Sequence, residues 1–304
     1  MPEQVRLQSD GEKEKEMSTV IAQNTVTSQD GTSIAYSQIG QGPDLILVDG
    51  ALCYRQFGPS QDLAAKLAPH FTVITYDRRG RGESGDTQPY AVEREVEDLA
   101  ALVEAVGGTA YVAGQSSGAG LAIEAANRLP GITKLALYEA PFVVDDTGKP
   151  ITLAFLASLK EAVAQNQRSK AVKMFMKQVG TPSFMPVIMP LFPMWSKLTT
   201  VAHTLPYDIS TVVAYGAGKP LPTTLGSSIK VPTLVMDGGK SPTWMRHAMQ
   251  ALAQTLPNAN YRTLAGQTHM VKSESLVPML EEFFAGEKVL SSLPPSTSLK
   301  RIDG

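Results

Sequence analysis

Cysteine is almost missing from this chain of 304 residues: Cys53 stands alone. No internal disulfide can form, and nothing in the covalent chemistry asks for an oxidising compartment. Histidine is scarce as well, with four scattered residues. They make no His/Cys cluster at metal-ligand spacing, no G-x-x-x-x-G-K-[ST] phosphate loop occurs, and Gly80-Arg81-Gly82 lacks the third glycine of a dinucleotide fingerprint. The expectation is no metal and no cofactor. Charge of one sign is not in excess: 27 Lys and Arg against 29 Asp and Glu leave a formal net charge of −2. That offers no electrostatic footprint for nucleic acid. A run of about 18 apolar residues is also lacking, and the first seventeen residues have no apolar core of a secretory signal. The expected protein is cytoplasmic, with neither nucleic acid nor membrane as partner; its oligomeric state stays open.

What is present is a substantial apolar fraction, 43% of residues, enough for one large α/β core or two small ones. Short β-branched runs alternate with helical stretches, the pattern of a mostly parallel sheet covered on both faces. Ile21 to Val26 and Ser33 to Ser37 flank the turn Asp30-Gly31 as a hairpin. Asp44 to Val48, Phe71 to Tyr76, Ala110 to Ala113, Lys134 to Tyr138, Val231 to Met236 and Asn260 to Leu264 read as further strands. Val92, Val96, Leu99, Val103 and Val106 recur at helical spacing. A second helix starts near Ser117 and is stopped by Pro130-Gly131, and Leu276, Met279, Leu280, Phe283 and Phe284 give a closing amphipathic helix.

The rhythm breaks between Pro141 and Leu225, where five of the twelve methionines fall together with Phe175, Phe184, Phe192 and Trp195. A long insertion between core strands reads as a helical cap over a pocket. Ordinary core packing by flexible methionines is the alternative for any one of them. The domain reading is therefore a core over 19–140 and 226–286, a cap over 141–225, and disordered or appended tails at 1–18 and 287–304.

Gly114-Gln115-Ser116-Ser117-Gly118 fits G-x-S-x-G, set between an apolar strand and a small-residue helix. A turn this sharp leaves no room for side chains two residues either side of the nucleophile, and it exposes Ser116 over a helix N-terminus. A serine hydroxyl needs a base, and the base needs an orienting group. His269, after the final strand, is the candidate base. His70, His203 and His247 fit worse.

With this elbow, VDGAL at Val48 to Leu52, YDRRGRGESGD at Tyr76 to Asp86, VPTLVMDGGKSP at Val231 to Pro242 and GQTHMV at Gly266 to Val271, the chain resembles the α/β-hydrolase family over Val20 to Ala285. The resemblance implies a doubly covered, mostly parallel sheet with an inserted cap, and hydrolytic activity. It also implies the order serine, acid, histidine, and here the chain departs from the commonest pattern. Gly238-Gly239-Lys240-Ser241 puts Ser241 where many relatives carry an aspartate. Glu139 matches the acid position of some other members, with Asp237 as the alternative and Asp145 or Asp146 as lesser ones. The implied oxyanion donors are the amides of Ala51 and Ser117. The arginines Arg78, Arg79 and Arg81 look like an anion site, with ligand binding as the lesser reading, but they fall in a block that is a structural turn in this family.

The candidate substrate pocket takes Leu52, Cys53, Met174, Met189 and Trp195, although Cys53 also reads as a small buried hydrophobe. An apolar roof suggests a small, partly hydrophobic carboxylic ester. Lactonase, thioesterase and perhydrolase activities share the same three side chains. A ligand-binding protein on a hydrolase scaffold is the reading from another class.

Overall fold

The computed structural model describes residues 22–182 and 184–286. The expected tails, and Ile21 of the expected first strand, lie outside them. Eight strands form one sheet in the order β1-β2-β4-β3-β5-β6-β7-β8: β1 (Ala22–Thr27), β2 (Ser33–Gly40), β3 (Asp44–Val48), β4 (Thr72–Tyr76), β5 (Ala110–Gln115), β6 (Ile132–Tyr138), β7 (Thr233–Gly238) and β8 (Ala259–Leu264). β1 with β2 and β2 with β4 pair antiparallel; the other neighbours are parallel. This is the α/β-hydrolase fold.

Strand side chains alternate between the two faces, and the core splits accordingly. Ile46 and Val48 of β3, Val112 of β5, Leu135 and Leu137 of β6 and Val235 of β7 feed one apolar cluster. Leu45, Leu47, Ala136, Tyr138, Leu234 and Met236 feed the other. Continuous apolar runs in the central strands follow from burial on both faces. The second cluster is closed by α1 (Ser60–Leu67), through Leu63 and Leu67, and by the last helix, through Leu276, Leu280 and Phe284. The first is covered by α2 (Val92–Ala105), whose Val96, Leu99 and Val103 face inward as their spacing requires, and by α3 (Ser117–Ala126).

Between β6 and β7 the chain runs through α4 (Leu153–Ala164), α5 (Arg168–Gln178), α6 (Met185–Ile188), α7 (Met194–Thr200) and α8 (Leu205–Val212). The buried residues of this stretch, among them Leu159, Met189, Trp195, Leu205 and Ile209, join the first cluster, so this insertion shares the core of the sheet. Its outer surface is apolar around 184–194, where Phe184, Val187, Leu191 and Phe192 are exposed. The remaining described helices are α9 (Thr243–Thr255), between β7 and β8, and α10 (Ser273–Ala285), after β8. Among the described residues no helix is long and apolar enough to cross a membrane.

Candidate active site

Parallel strands deliver their carboxyl ends to one edge, where loops can meet. There β5 turns into α3 at Ser116, whose backbone sits at φ 56°, ψ −129°. The turn is tight. A Cβ on Gly114 would stand 2.6 Å from the Gly118 carbonyl oxygen, and one on Gly118 would stand 2.2 Å from that of Val48. Four described non-glycine residues have positive φ, and three of them gather at this edge: Leu52 (64°), Ser116 (56°) and Glu139 (48°). Each such conformation costs about 1–3 kcal/mol and persists only where its surroundings enforce it.

Glu139 follows β6 directly and is fully buried. Its Oε2 lies 2.9 Å from His269 Nδ1, and its Oε1 accepts from the Gly238 amide at 2.7 Å. Both carboxylate oxygens are thus engaged, one on the imidazole and one on the end of β7. Two hydrogen bonds hold the histidine loop down: Gln115 Nε2 donates to the His269 carbonyl (3.0 Å) and Tyr138 Oη to that of Thr268 (2.7 Å). Gln115 and Tyr138 immediately precede Ser116 and Glu139. The strand ends that carry nucleophile and acid therefore also carry the clamps on the third loop. Sequence reasoning missed both clamps; their only signal was adjacency to the motif residues.

The alternative acids lie elsewhere. Asp237 is buried and accepts from Tyr261 Oη (2.5 Å) and Arg246 Nε (3.4 Å). Asp145 pairs with His247 at 2.6 Å on a partly exposed surface. Ser241 is buried in the turn after β7, and its Oγ has no hydrogen-bond partner among the described residues. His70 and His203 stand 3.7 Å from Glu281 and 4.0 Å from Asp86.

The loop after β3 closes on the nucleophile: a Cβ on Gly50 would lie 2.9 Å from Ser116 Cβ and 3.4 Å from its Oγ. Ala51 is in this loop, and Ser117 opens α3, where first-turn N–H groups lack intrahelical partners. The loop is pinned from below, since Asp77 accepts from the Arg55 amide (2.7 Å) and from Arg55 Nε (3.1 Å). Of the candidate pocket residues, Leu52, Met189 and Trp195 are buried in the first core cluster, with Met174 packed against it, as is Ala51 of the oxyanion pair. Cys53 is half-buried, and burial pushes its thiol up to about 12. A cavity of about 390 Å³ between Asp86, Gln88, Tyr90, Lys160, His203 and Tyr207 includes none of Ser116, Glu139 and His269.

Arg78, Arg79 and Arg81 are fully buried and spent on internal pairs. Arg78 binds Glu95 and Asp208, Arg79 binds Asp98 and Asp30, and Arg81 binds Asp208. Asp208 went unread in the sequence, although it is the only acidic residue between Glu161 and Asp237. A lone acid in an apolar helix is a signal for a buried cation partner.

Comparison with known proteins agrees with the fold. The family model described as the alpha/beta hydrolase family matches residues 45–282. The structure of an alpha/beta hydrolase from Sphaerobacter thermophilus is 50% identical, covering 86% of this chain and 100% of that one, with a TM-score of 0.78. An uncharacterized hydrolase of Bacillus subtilis, YraK, is 31% identical over 155 residues. That match takes in 47% of this chain and about half, 54%, of the relative's length. The enol-lactonase of Burkholderia xenovorans shares the fold at 19% identity and a TM-score of 0.67, over 86% of this chain and 100% of that one.

Proposed function

Because the chain belongs to the alpha/beta hydrolase family, we propose that it is a serine hydrolase that cleaves a small, partly hydrophobic carboxylic ester through an acyl-enzyme. The observation that carries this reading is the 2.9 Å pairing of buried Glu139 with His269 on a loop fastened to the serine elbow by Gln115.

In this mechanism Ser116 Oγ attacks the ester carbonyl while the neutral His269 imidazole takes its proton. The buried Glu139 carboxylate holds the imidazole in one tautomer and balances the imidazolium. Charge that develops on the carbonyl oxygen is met by the amides of Ser117 and Ala51. The imidazolium then protonates the leaving alcohol as the acyl–oxygen bond breaks. Water, activated by the same histidine, next releases the acid and regenerates Ser116. Met270, exposed beside the histidine in sequence, favours an uncharged substrate with apolar surface. We place this reaction in the cytoplasm, without cofactor.

A fluorophosphonate probe and a panel of short-chain aryl esters, lactones and thioesters test the proposal. The folded protein should be labelled on Ser116 and should hydrolyse an ester, and Ser116→Ala should abolish both. A folded protein that neither takes the probe nor turns over any member of the panel would be a binding protein on this scaffold instead.

A further inference from the structure

Two amides can share one oxyanion only if the elements that carry them are fixed relative to each other. Here they belong to separate pieces: Ala51 to the loop after β3, Ser117 to the first turn of α3. What joins those pieces is a side chain from neither. Asp208 projects from α8 of the insertion into a site with no solvent exposure. Its Oδ1 accepts from Ser117 Oγ (2.7 Å), Arg78 Nη1 (2.7 Å) and Arg81 Nη2 (2.8 Å), and its Oδ2 accepts from Arg81 Nη2 (2.7 Å). The same guanidinium groups continue to the other piece. Arg81 Nη1 donates to the carbonyls of Gly50 (2.7 Å) and Cys53 (3.1 Å), either side of Ala51, and Arg78 Nη1 to that of Asp49 (3.3 Å). Glu95 receives the far side of Arg78 at 2.6 and 2.8 Å, so two buried cations meet two buried carboxylates. Arg81 Nε also donates to Thr204 Oγ1 (3.0 Å), a second tie to the insertion.

A buried ion network of this kind is not a cheap source of stability, because desolvation offsets most of its Coulombic gain. Its distinctive property is direction: apart from the Arg78 bonds to Glu95 on α2, each bond aims at the elbow, the loop around Ala51, or the insertion. We propose that Asp208 is a positioning residue for the oxyanion site, through which the helical insertion sets the spacing of the Ala51 and Ser117 amides. This rests on the serine-hydrolase reading. A carboxylate 91 residues from Ser117 in sequence then governs a donor that it never shares with substrate, and the insertion acts on the chemical step through it.

Ser117→Ala isolates the link, since it removes the hydroxyl but keeps the backbone amide and the arginine pairs. Asp208→Asn weakens the network itself. For both, and for the double variant, kcat and KM with an aryl ester should be measured, together with affinity for a trifluoromethyl ketone, which forms an anionic tetrahedral adduct on serine. Affinity for a non-reactive ester isostere supplies the ground-state control. Each single variant should lose about 10- to 100-fold in kcat and a similar factor in ketone affinity, less than deletion of a whole donor. KM and isostere affinity should stay within about twofold, and the double variant should be no slower than the slower single one. Should Asp208→Asn fail to fold, Ser117→Ala carries the test alone. Wild type that labels at Ser116 and hydrolyses ester, beside a folded Ser117→Ala with unchanged kcat and ketone affinity, would overturn the positioning role and leave the hydrolase reading intact. Wild type that neither labels nor hydrolyses would remove the hydrolase reading, and this proposal with it.

Discussion

Gln115 and His269 are 154 residues apart in sequence, yet the side-chain amide of the first donates to the main-chain carbonyl of the second at 3.0 Å. The residue before the proposed nucleophile thus holds the loop of the proposed base. Tyr138, the residue before the proposed acid, does the same one residue earlier. Such bonds contribute about 1 kcal/mol each to stability, but a slack imidazole loop costs more in rate than in folding, because reacting groups must be held to within a fraction of an ångström. Gln115→Ala should lower kcat by about tenfold with a smaller change in KM, and Tyr138→Phe should act in the same direction. Steady-state kinetics on an aryl ester, with thermal melts to show that folding is kept, would check both.

Glu139 and Asp237 are two fully buried carboxylates at the ends of neighbouring strands, and only the first lies on the imidazole. Replacing an orienting carboxylate by its amide leaves the shape but frees the histidine to take the wrong tautomer, a change worth up to about 10⁴ in kcat in a serine triad. Glu139→Gln should therefore lose at least about 10² in kcat. Asp237→Asn should keep kcat within a few fold and affect stability instead, through its bonds to Tyr261 and Arg246. Comparable losses of kcat in the two variants, at equal folded fractions, would speak against Glu139 as the acid.

Much of this architecture can be read from local pattern. The runs DLILV and TVITY announce strands buried on both faces, the valine spacing from Val92 to Val103 announces α2, and the glycines at 114 and 118 announce the sharp turn between β5 and α3. Strand limits shift by one to three residues: β2 runs on to Gly40, and β5 continues to Gln115, because pairing with β6 extends to Gln115 opposite Tyr138. The contacts that set the site's geometry are a different matter. Arg81 meets Asp208 across 127 residues, and which face of α8 turns inward depends on how the whole insertion settles against α3. No local period encodes that. The arginine block could announce only that its cations, if buried, needed acids somewhere.

Cys53 sits beside the loop that carries Ala51, and the thiol's burial, with the nearby Asp49, pushes its ionisation up to about 12. The thiolate is the reactive form, so at pH 8 the folded protein holds Cys53 almost wholly as the inert thiol. Iodoacetamide at that pH should leave the native protein unmodified over a period that alkylates a free thiol, and should add one equivalent after denaturation. Intact mass before and after would decide it. Rapid native labelling would mean that the loop opens more readily than its bonds to Asp77 and Arg81 suggest.

The charge state of Asp208 gives stability a defined pH dependence. Burial alone would raise this carboxyl, but Arg81, Arg78 and the Ser117 hydroxyl outweigh it and hold the group below the usual carboxylate range. A carboxyl lower in the folded than in the unfolded chain contributes stability that is complete above the unfolded value, about 3.9, and is lost as pH falls through the folded one. Removing one member of a buried ion network costs about 3–5 kcal/mol, because the remaining charges are left unbalanced. Asp208→Asn should therefore be less stable than wild type by about that amount in urea unfolding between pH 5.5 and 8. The gap should be flat across that window and should narrow as pH falls below about 4, where wild type loses the same carboxylate by protonation. A gap that widens on acidification would mean that Asp208 is already protonated in the folded protein, and that the two arginines draw their balancing charge from elsewhere.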